Sequence, residues 1–175
     1  MEIRCLLQED LRKALQTAGE AEKRFAGIFG RKADPFIEPY RCDDAEHVAV
    51  GLGSITYQMR VCVDRLREEG IKIGVMGVRY YRPFPDEALA AALKGKKGVI
   101  VVEKALSYGY EGALMSDLKS ALYEHLAGTG SLPVVQNFIA GIGGREIRTD
   151  DLTQTLRAAV QSRVSKEPVW IGLRL

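Results

Sequence analysis

HVAVGLGSITYQMRVCVDRLREEGIKIGVMGV, residues 47–78, holds two short apolar runs with an amphipathic stretch between them. The first run, HVAVGLG (47–53), ends in glycines, and the second, IKIGVMGV (71–78), is almost wholly apolar. Between them, Ser54 to Glu69 carries Ile55, Met59, Cys62, Val63 and Leu66 at helical spacing, and Gly70 stops the helix. An apolar strand without polar alternation belongs in a sheet covered on both faces. The stretch therefore reads as strand–helix–strand, the unit of a parallel sheet.

The same alternation continues downstream. Pro85 to Lys94 reads as a short helix, with Pro85 suited to the first helical position and Asp86 and Glu87 to the positive end of the dipole. GVIVVEK (98–104) is a strand, and Tyr110 to Ala127 a helix with Leu114, Leu118, Ala121, Leu122 and His125 in phase. PVVQNFIAG (133–141) is a further strand. Thr149 caps a last helix running to about Arg163, with Leu152, Leu156, Ala159 and Val160 inside, and VWIGL (169–173) adds a closing strand. The expected fold class is α/β: three layers, a mostly parallel sheet of about five strands, helices on both faces.

Upstream, residues 31–46 (RKADPFIEPYRCDDAE) hold two prolines and no period, and read as a connecting segment. Residues 3–29 read as one helix in which Leu7, Leu11, Ala14, Ala18, Ala21, Phe25 and Ile28 form a 4-3-4-3-4-3 seam. Either that seam packs on its own domain, or residues 1–30 connect to a neighbouring domain or subunit and 31–175 form the domain proper. In the second case part of the Leu7–Leu11–Phe25 seam stays exposed and invites self-association into a homo-oligomer.

With 175 residues the chain is long enough for one real core, and 46% hydrophobic with 27% charged residues is ordinary for a globular protein. A net charge of +2 argues against nucleic acid and against an anionic membrane surface. No apolar run approaches the ~20 residues of a membrane span. The first residues, MEIRCLLQEDLRKAL, have early acids and no apolar signal core, so a cytoplasmic location is expected. Cys5, Cys42 and Cys62 lie far apart with no C-x-x-C and no histidine at ligand spacing, which predicts three free thiols and no metal or cluster in this chain.

In a parallel sheet, ligands and partners meet the loops beyond the strand C-termini. Gly51-Leu-Gly53-Ser54 opens like a dinucleotide fingerprint, but Thr56 stands at its third position and Arg79 where a ribose-binding acid belongs. The alternatives are a free-standing dinucleotide or phosphate binder using GLGS and Arg79, or a tight turn with Ser54 as N-cap. Glu103 and Glu111 are an imaginable acid–base pair, or else a strand-end acid bonding loop amides and an acid favoured at a helix start. Ser107 has no nucleophile-elbow context, and His47 and His125 are not placed to serve it. Gly143, Gly144 and Arg145 form either an anion-binding amide nest or a long turn. The loop RYYRPFP packs two arginines, three aromatics and two prolines into seven positions. Arg79, Tyr81, Arg82 and Phe84 are the types that dominate interface energetics. Alternatively, Phe84 staples the helix and the arginines are solvated.

Five blocks in order, FIEPYRCDDAEHVAVGLGS, IKIGVMGVRYYRPFP, VIVVEKALSYGYEGAL, VVQNFIAGIGGREI and VWIGLRL, closely resemble successive parts of the alpha chain of 2-oxoacid:ferredoxin oxidoreductases, especially the pyruvate enzymes. The resemblance runs from about residue 5 to the C-terminus and implies a transketolase C-terminal-like domain. It implies no catalytic residue here, since the family's pyrimidine-binding domain, cysteine-rich modules and pyrophosphate-binding module have no counterpart in this sequence. Thiamine pyrophosphate, Mg, iron–sulfur clusters and CoA would belong to the complete complex. The implied role is a module that binds other domains or subunits, with Arg79, Tyr81, Arg82, Phe84, Leu7, Leu11 and Phe25 as interface candidates. On that reading Arg82→Ala would harm assembly more than folding.

Overall fold

The computed structural model describes residues 1–162 and 165–174. In chain order the elements are α1 (Glu2–Phe29), β1 (Ile37–Tyr40), β2 (His47–Leu52), α2 (Ser54–Glu68), β3 (Ile73–Val78), α3 (Asp86–Leu93), β4 (Gly98–Glu103), α4 (Ala113–Leu126), β5 (Val134–Ile139), a 3-10 turn (Ile142–Gly144), α5 (Thr149–Gln161) and β6 (Val169–Trp170). Among the described residues, one sheet of six strands runs in the order β1-β3-β2-β4-β5-β6. Only β1 is antiparallel to its neighbour.

Alternating residues of each central strand feed two separate cores. On one face Ala49, Ile73, Val75, Ile100, Val102 and Phe138 meet Met59, Val63 and Leu66 of α2 and Leu152 and Leu156 of α5. On the other, Val48, Val50, Met76, Val99 and Val101 meet Leu89 and Leu93 of α3 and Leu114, Leu118 and Leu122 of α4. Because both faces are covered, β3 and β4 are buried at every position. This is the physical reason their sequences lack polar alternation.

The segment 31–46 is more than a connector, because Ile37–Tyr40 forms edge strand β1. Pairing runs from Ile37 opposite Val78 to Tyr40 opposite Val75. Pro39 lacks an N–H, so it is tolerated only at an edge, and this strand is one. Asp34 Oδ1 accepts from the N–H groups of Phe36 and Ile37, at 2.8 and 3.0 Å, and turns the chain into the strand. The sheet thus has one strand more than the expected five.

The helix caps also differ from expectation. Ser54 and Thr149 are the first helical residues, while Gly53 and Arg148 occupy the cap positions and no side chain caps either helix. Gly53 has φ 63° and ψ −141°, a backbone that glycine adopts freely, which moves the cap one residue upstream. Pro85 likewise precedes α3 rather than opening it. α4 begins at Ala113 instead of Tyr110, because Tyr110 closes a turn by donating its N–H to the Ser107 carbonyl at 2.9 Å and the Gly112 N–H goes to Asn137. His125 is not in the core; its ring lies 3.1 Å from Asp86, and Leu126 is buried in its place. The closing strand is two residues long, and the expected end of the last helix at Arg163 lies outside the described residues.

α1 runs as expected but buries none of its residues. It lies over the α3–α4 side of the body, separated from it by two open clefts of about 550 and 650 Å³. Its half-covered positions are Ala14, Leu15, Ala18, Gly19, Glu22 and Ala26, a face rotated from the predicted seam. Leu7, Leu11 and Phe25 remain 47%, 41% and 40% exposed, and Ile28 72%.

Candidate functional surface

The loops after β2, β3, β4 and β5 gather at one end of the sheet. Gly51 is buried there by packing: a Cβ would lie 2.8 Å from Met59, 3.1 Å from Ile55 and 3.1 Å from the Val102 carbonyl. Its role is to let α2 approach the strands. Thr56 is buried and donates its hydroxyl to the Gly53 carbonyl at 2.7 Å. Only Gly53 and Ser54 are open to solvent.

After β4, Glu103 is 3% exposed, and its carboxylate is saturated by donors. Oε2 accepts from the Leu114 N–H at 2.9 Å, and Oε1 from the Met115 N–H at 3.1 Å and Asn137 Nδ2 at 3.0 Å. Asn137 Oδ1 in turn accepts from the Gly112 N–H at 2.9 Å. A strand-end carboxylate thus supplies the N-terminal cap that α4 lacks from its own sequence. Burial pushes this carboxyl above its ordinary range; the Leu114 and Met115 amides and Asn137 pull it back, and Glu111 adds to the rise. Glu111 does not face Glu103 as a catalytic partner, since its carboxylate is held by Lys119 at 2.8 Å and by the Ser116 hydroxyl at 3.0 Å. Among the described residues no group of three or more His, Cys, Asp or Glu side chains is placed to hold a metal.

Gly112 was absent from the sequence expectations, yet a Cβ there would overlap the Glu103 carboxylate. Its own dihedrals are ordinary, so the demand for glycine is purely steric. Gly112→Ala is expected to lower stability by at least about 2 kcal/mol, because the overlapping group is anchored rather than free to swing away. Urea unfolding gives the number.

The loop after β3 is engaged within the chain. Arg79 donates its backbone N–H to Phe36 at 2.8 Å, and its guanidinium lies 3.6 Å from Glu38. Tyr81 and Phe84 meet edge to face at 6.2 Å and pack on the α3–α4 core. Arg82 stacks over Tyr81 at 4.3 Å and reaches Asp117 of α4 at 2.8 Å. The bond to Asp117 raises the Arg82 pKa further, and burial first, then Asp117, raises that of the Tyr81 phenol. The Arg82 side chain is 56% exposed but not free, since Asp117 and the Tyr81 ring hold it. Arg82→Ala is now expected to cost the isolated chain about 1 kcal/mol, an exposed ion pair plus one ring contact. The loss should not add to that of Asp117→Asn in a double-mutant cycle followed by thermal unfolding.

A polar cluster around β1 was missed. Arg60 lies between the rings of Tyr40 and Tyr57, at 5.0 and 4.8 Å, and bonds Glu38 at 2.6 Å. The bond from Arg60 is the main reason the Glu38 carboxyl sits below its ordinary range. Asp64 accepts from the Tyr40 hydroxyl at 2.9 Å and pairs with Arg41 at 2.8 Å. Tyr57, Arg60 and Asp64 are spaced i, i+3, i+7, a helical stripe whose meaning depends on recognising the edge strand beside it.

After β5, Gly141, Gly143 and Gly144 have φ of 71°, 66° and 77°. Gly141 is tight against Ile147, whereas nothing lies within 4 Å of a Cβ at Gly143 or Gly144. Arg145 is exposed beside them. The structure therefore gathers Gly53, Ser54 and Arg79 to Arg82 at the same end of the sheet as these residues, and removes Gly51 and Glu103 into the packed interior.

The chain matches the family described as pyruvate:ferredoxin oxidoreductase core domain II over residues 45–152. It is 40% identical over 156 residues to the pyruvate synthase subunit PorA of Thermotoga maritima, covering 89% of this chain and 38% of that protein. To the ketoisovalerate oxidoreductase subunit VorA of Pyrococcus horikoshii it is 35% identical over 170 residues, covering 95% and 41%. The chain thus spans about two fifths of the length of the curated relatives it matches. A solved 2-oxoglutarate:ferredoxin oxidoreductase from Magnetococcus marinus superposes with a TM-score of 0.53 at 20% identity, over 79% of this chain and 22% of that one, a likeness of fold.

Proposed function

The chain belongs to the pyruvate:ferredoxin oxidoreductase core domain II family, and from that premise we propose that it is a non-catalytic assembly domain of a 2-oxoacid:ferredoxin oxidoreductase. Pyruvate is the proposed substrate of the complete complex, which interconverts pyruvate and CoA with acetyl-CoA and CO2 and passes the two electrons to ferredoxin. Other domains or subunits hold the thiamine pyrophosphate, Mg, iron–sulfur clusters and CoA. The residues present here do not fit a cluster. Cys42 lies in the core on one face of the sheet, Cys62 in the core on the other, and Cys5 is on α1. Glu103, a carboxylate buried at a strand end, has its acceptors filled from within.

The observation that carries this reading is α1. A helix of 28 residues with no buried side chain, exposing Leu7, Leu11, Phe25, Ile28 and Phe29, carries an apolar surface its own domain does not cover. Phe25 and Phe29 rings lie 4.6 Å apart and form one apolar knob. In the complex this face packs on the remainder of the oxidoreductase, with the outer faces of Tyr80, Arg79 and Arg82 alongside. A co-sedimentation assay of the chain with the partner polypeptides tests this, and binding that ignores charge placed on the seam would refute it.

A further inference from the structure

Beyond the assembly role, and independently of it, one groove carries unused positive charge. It lies between the β5–α5 loop and the chain after β6, has a volume of about 830 Å³, and is bordered by Gly143, Gly144, Arg145, Arg148, Trp170 and Arg174. From residue 32 on, every other described arginine closes an ion pair inside the chain. The three that pair with no described residue share this groove. Glu146 and Asp151 also border it, so three guanidiniums face two carboxylates and the balance is positive.

The chemistry is selective for one class of ligand. Guanidinium groups give forked hydrogen bonds to phosphate oxygens and retain their charge at any working pH. Gly143 and Gly144, in left-handed backbone with open space where a Cβ would be, leave the loop backbone uncovered beside Arg145. Gly172 lies 3.9 Å, measured from a Cβ built on it, from Arg145 Cγ, so the arginine stem rests on the opposite wall. Trp170, the only tryptophan in the chain, is 39% exposed and offers a flat apolar face at the same groove. We propose that this groove binds a phosphate-bearing small molecule, its phosphate held by Arg145, Arg148 and Arg174 and any ring it carries placed against Trp170.

Titration of the chain with pyrophosphate and with ADP, followed by Trp170 fluorescence and by calorimetry, tests the proposal. Pyrophosphate is expected to bind with a Kd on the order of 0.1 mM, and ADP to bind and quench Trp170 more strongly. Arg145→Gln with Arg148→Gln should weaken both by at least about tenfold, while the melting temperature stays within about 1 °C of the parent. Arg174→Gln, on the opposite wall, should weaken them independently. Absence of binding by both probes overturns the proposal, as does binding that survives the substitutions. An oligoglutamate peptide that binds more tightly than pyrophosphate also overturns it, by making the groove a protein-docking surface.

Discussion

Replacing Glu103 by alanine is expected to destabilise the chain by about 3 kcal/mol. The carboxylate accepts from two backbone N–H groups of α4 and from Asn137, all in a site 3% exposed. Each donor left without a partner in such a site costs about 1–3 kcal/mol, and water entering the vacated volume recovers part of it. In a domain of this size the loss lowers Tm by about 10 °C. Glu103→Gln keeps the volume but turns an amide donor toward donors, so it should lose about half as much. Asn137→Ala should be partly non-additive with Glu103→Ala, since the two side chains share one network.

The same residue has a pH signature. Its folded-state value is raised, chiefly by burial. Over the window between the unfolded and folded values the folded chain holds a proton that the unfolded chain has released. Stability from this group is therefore highest below the ordinary carboxyl value and falls as pH rises through that window. Glu38, Asp44, Glu46 and Glu69 are lowered, each first by a hydrogen bond from a basic side chain, and act in the opposite direction. The difference in urea-unfolding free energy between wild type and Glu103→Ala, measured against pH, isolates the Glu103 contribution. It should shrink as pH rises.

The second large effect is on association. Leu7→Asp combined with Phe25→Asp is expected to weaken binding to the proposed partner polypeptides by about a hundredfold, or about 2.7 kcal/mol. The two side chains are 47% and 40% exposed in the isolated chain, so charge on them costs the fold little. In an interface they lose water, and a carboxylate there is left without a partner. Without its partners, the wild-type chain should self-associate through the same seam at high concentration. Light scattering should then give a mass above 19.3 kDa for wild type and that of the monomer for the double variant.

How far the fold was legible follows from where its determinants lie. β2, α2 and β3 declare themselves because each is specified by its own residues: a glycine stop, an apolar face at helical spacing, a run without polar alternation. β1 does not. Glu38 and Pro39 weaken the strand pattern, and what makes Ile37–Tyr40 a strand is the unpaired edge of β3, some forty residues away. The role of Glu103 is hidden for a similar reason. An acid ending an apolar strand was visible as a candidate, but its partners come from residues 112–115 and 137, and only the folded chain brings these together. The seam of α1 was readable as a period, while the face it turns to the body depends on the clefts beneath it. The loop RYYRPFP shows the limit of composition. Its arginines and rings are interface types, yet Arg82 also serves as an internal strap to Asp117.

The proposed role is that of a docked domain without chemistry of its own. Isolating it under native conditions through an affinity tag, then weighing and identifying the assembly by sedimentation and mass spectrometry, tests that most directly. The prediction is one complex that includes polypeptides carrying the iron–sulfur and pyrophosphate-binding modules, and that falls apart when Leu7 and Phe25 carry charge. Recovery of the wild-type chain alone, or reduction of ferredoxin by pyruvate with the purified chain as the only other protein, would contradict it.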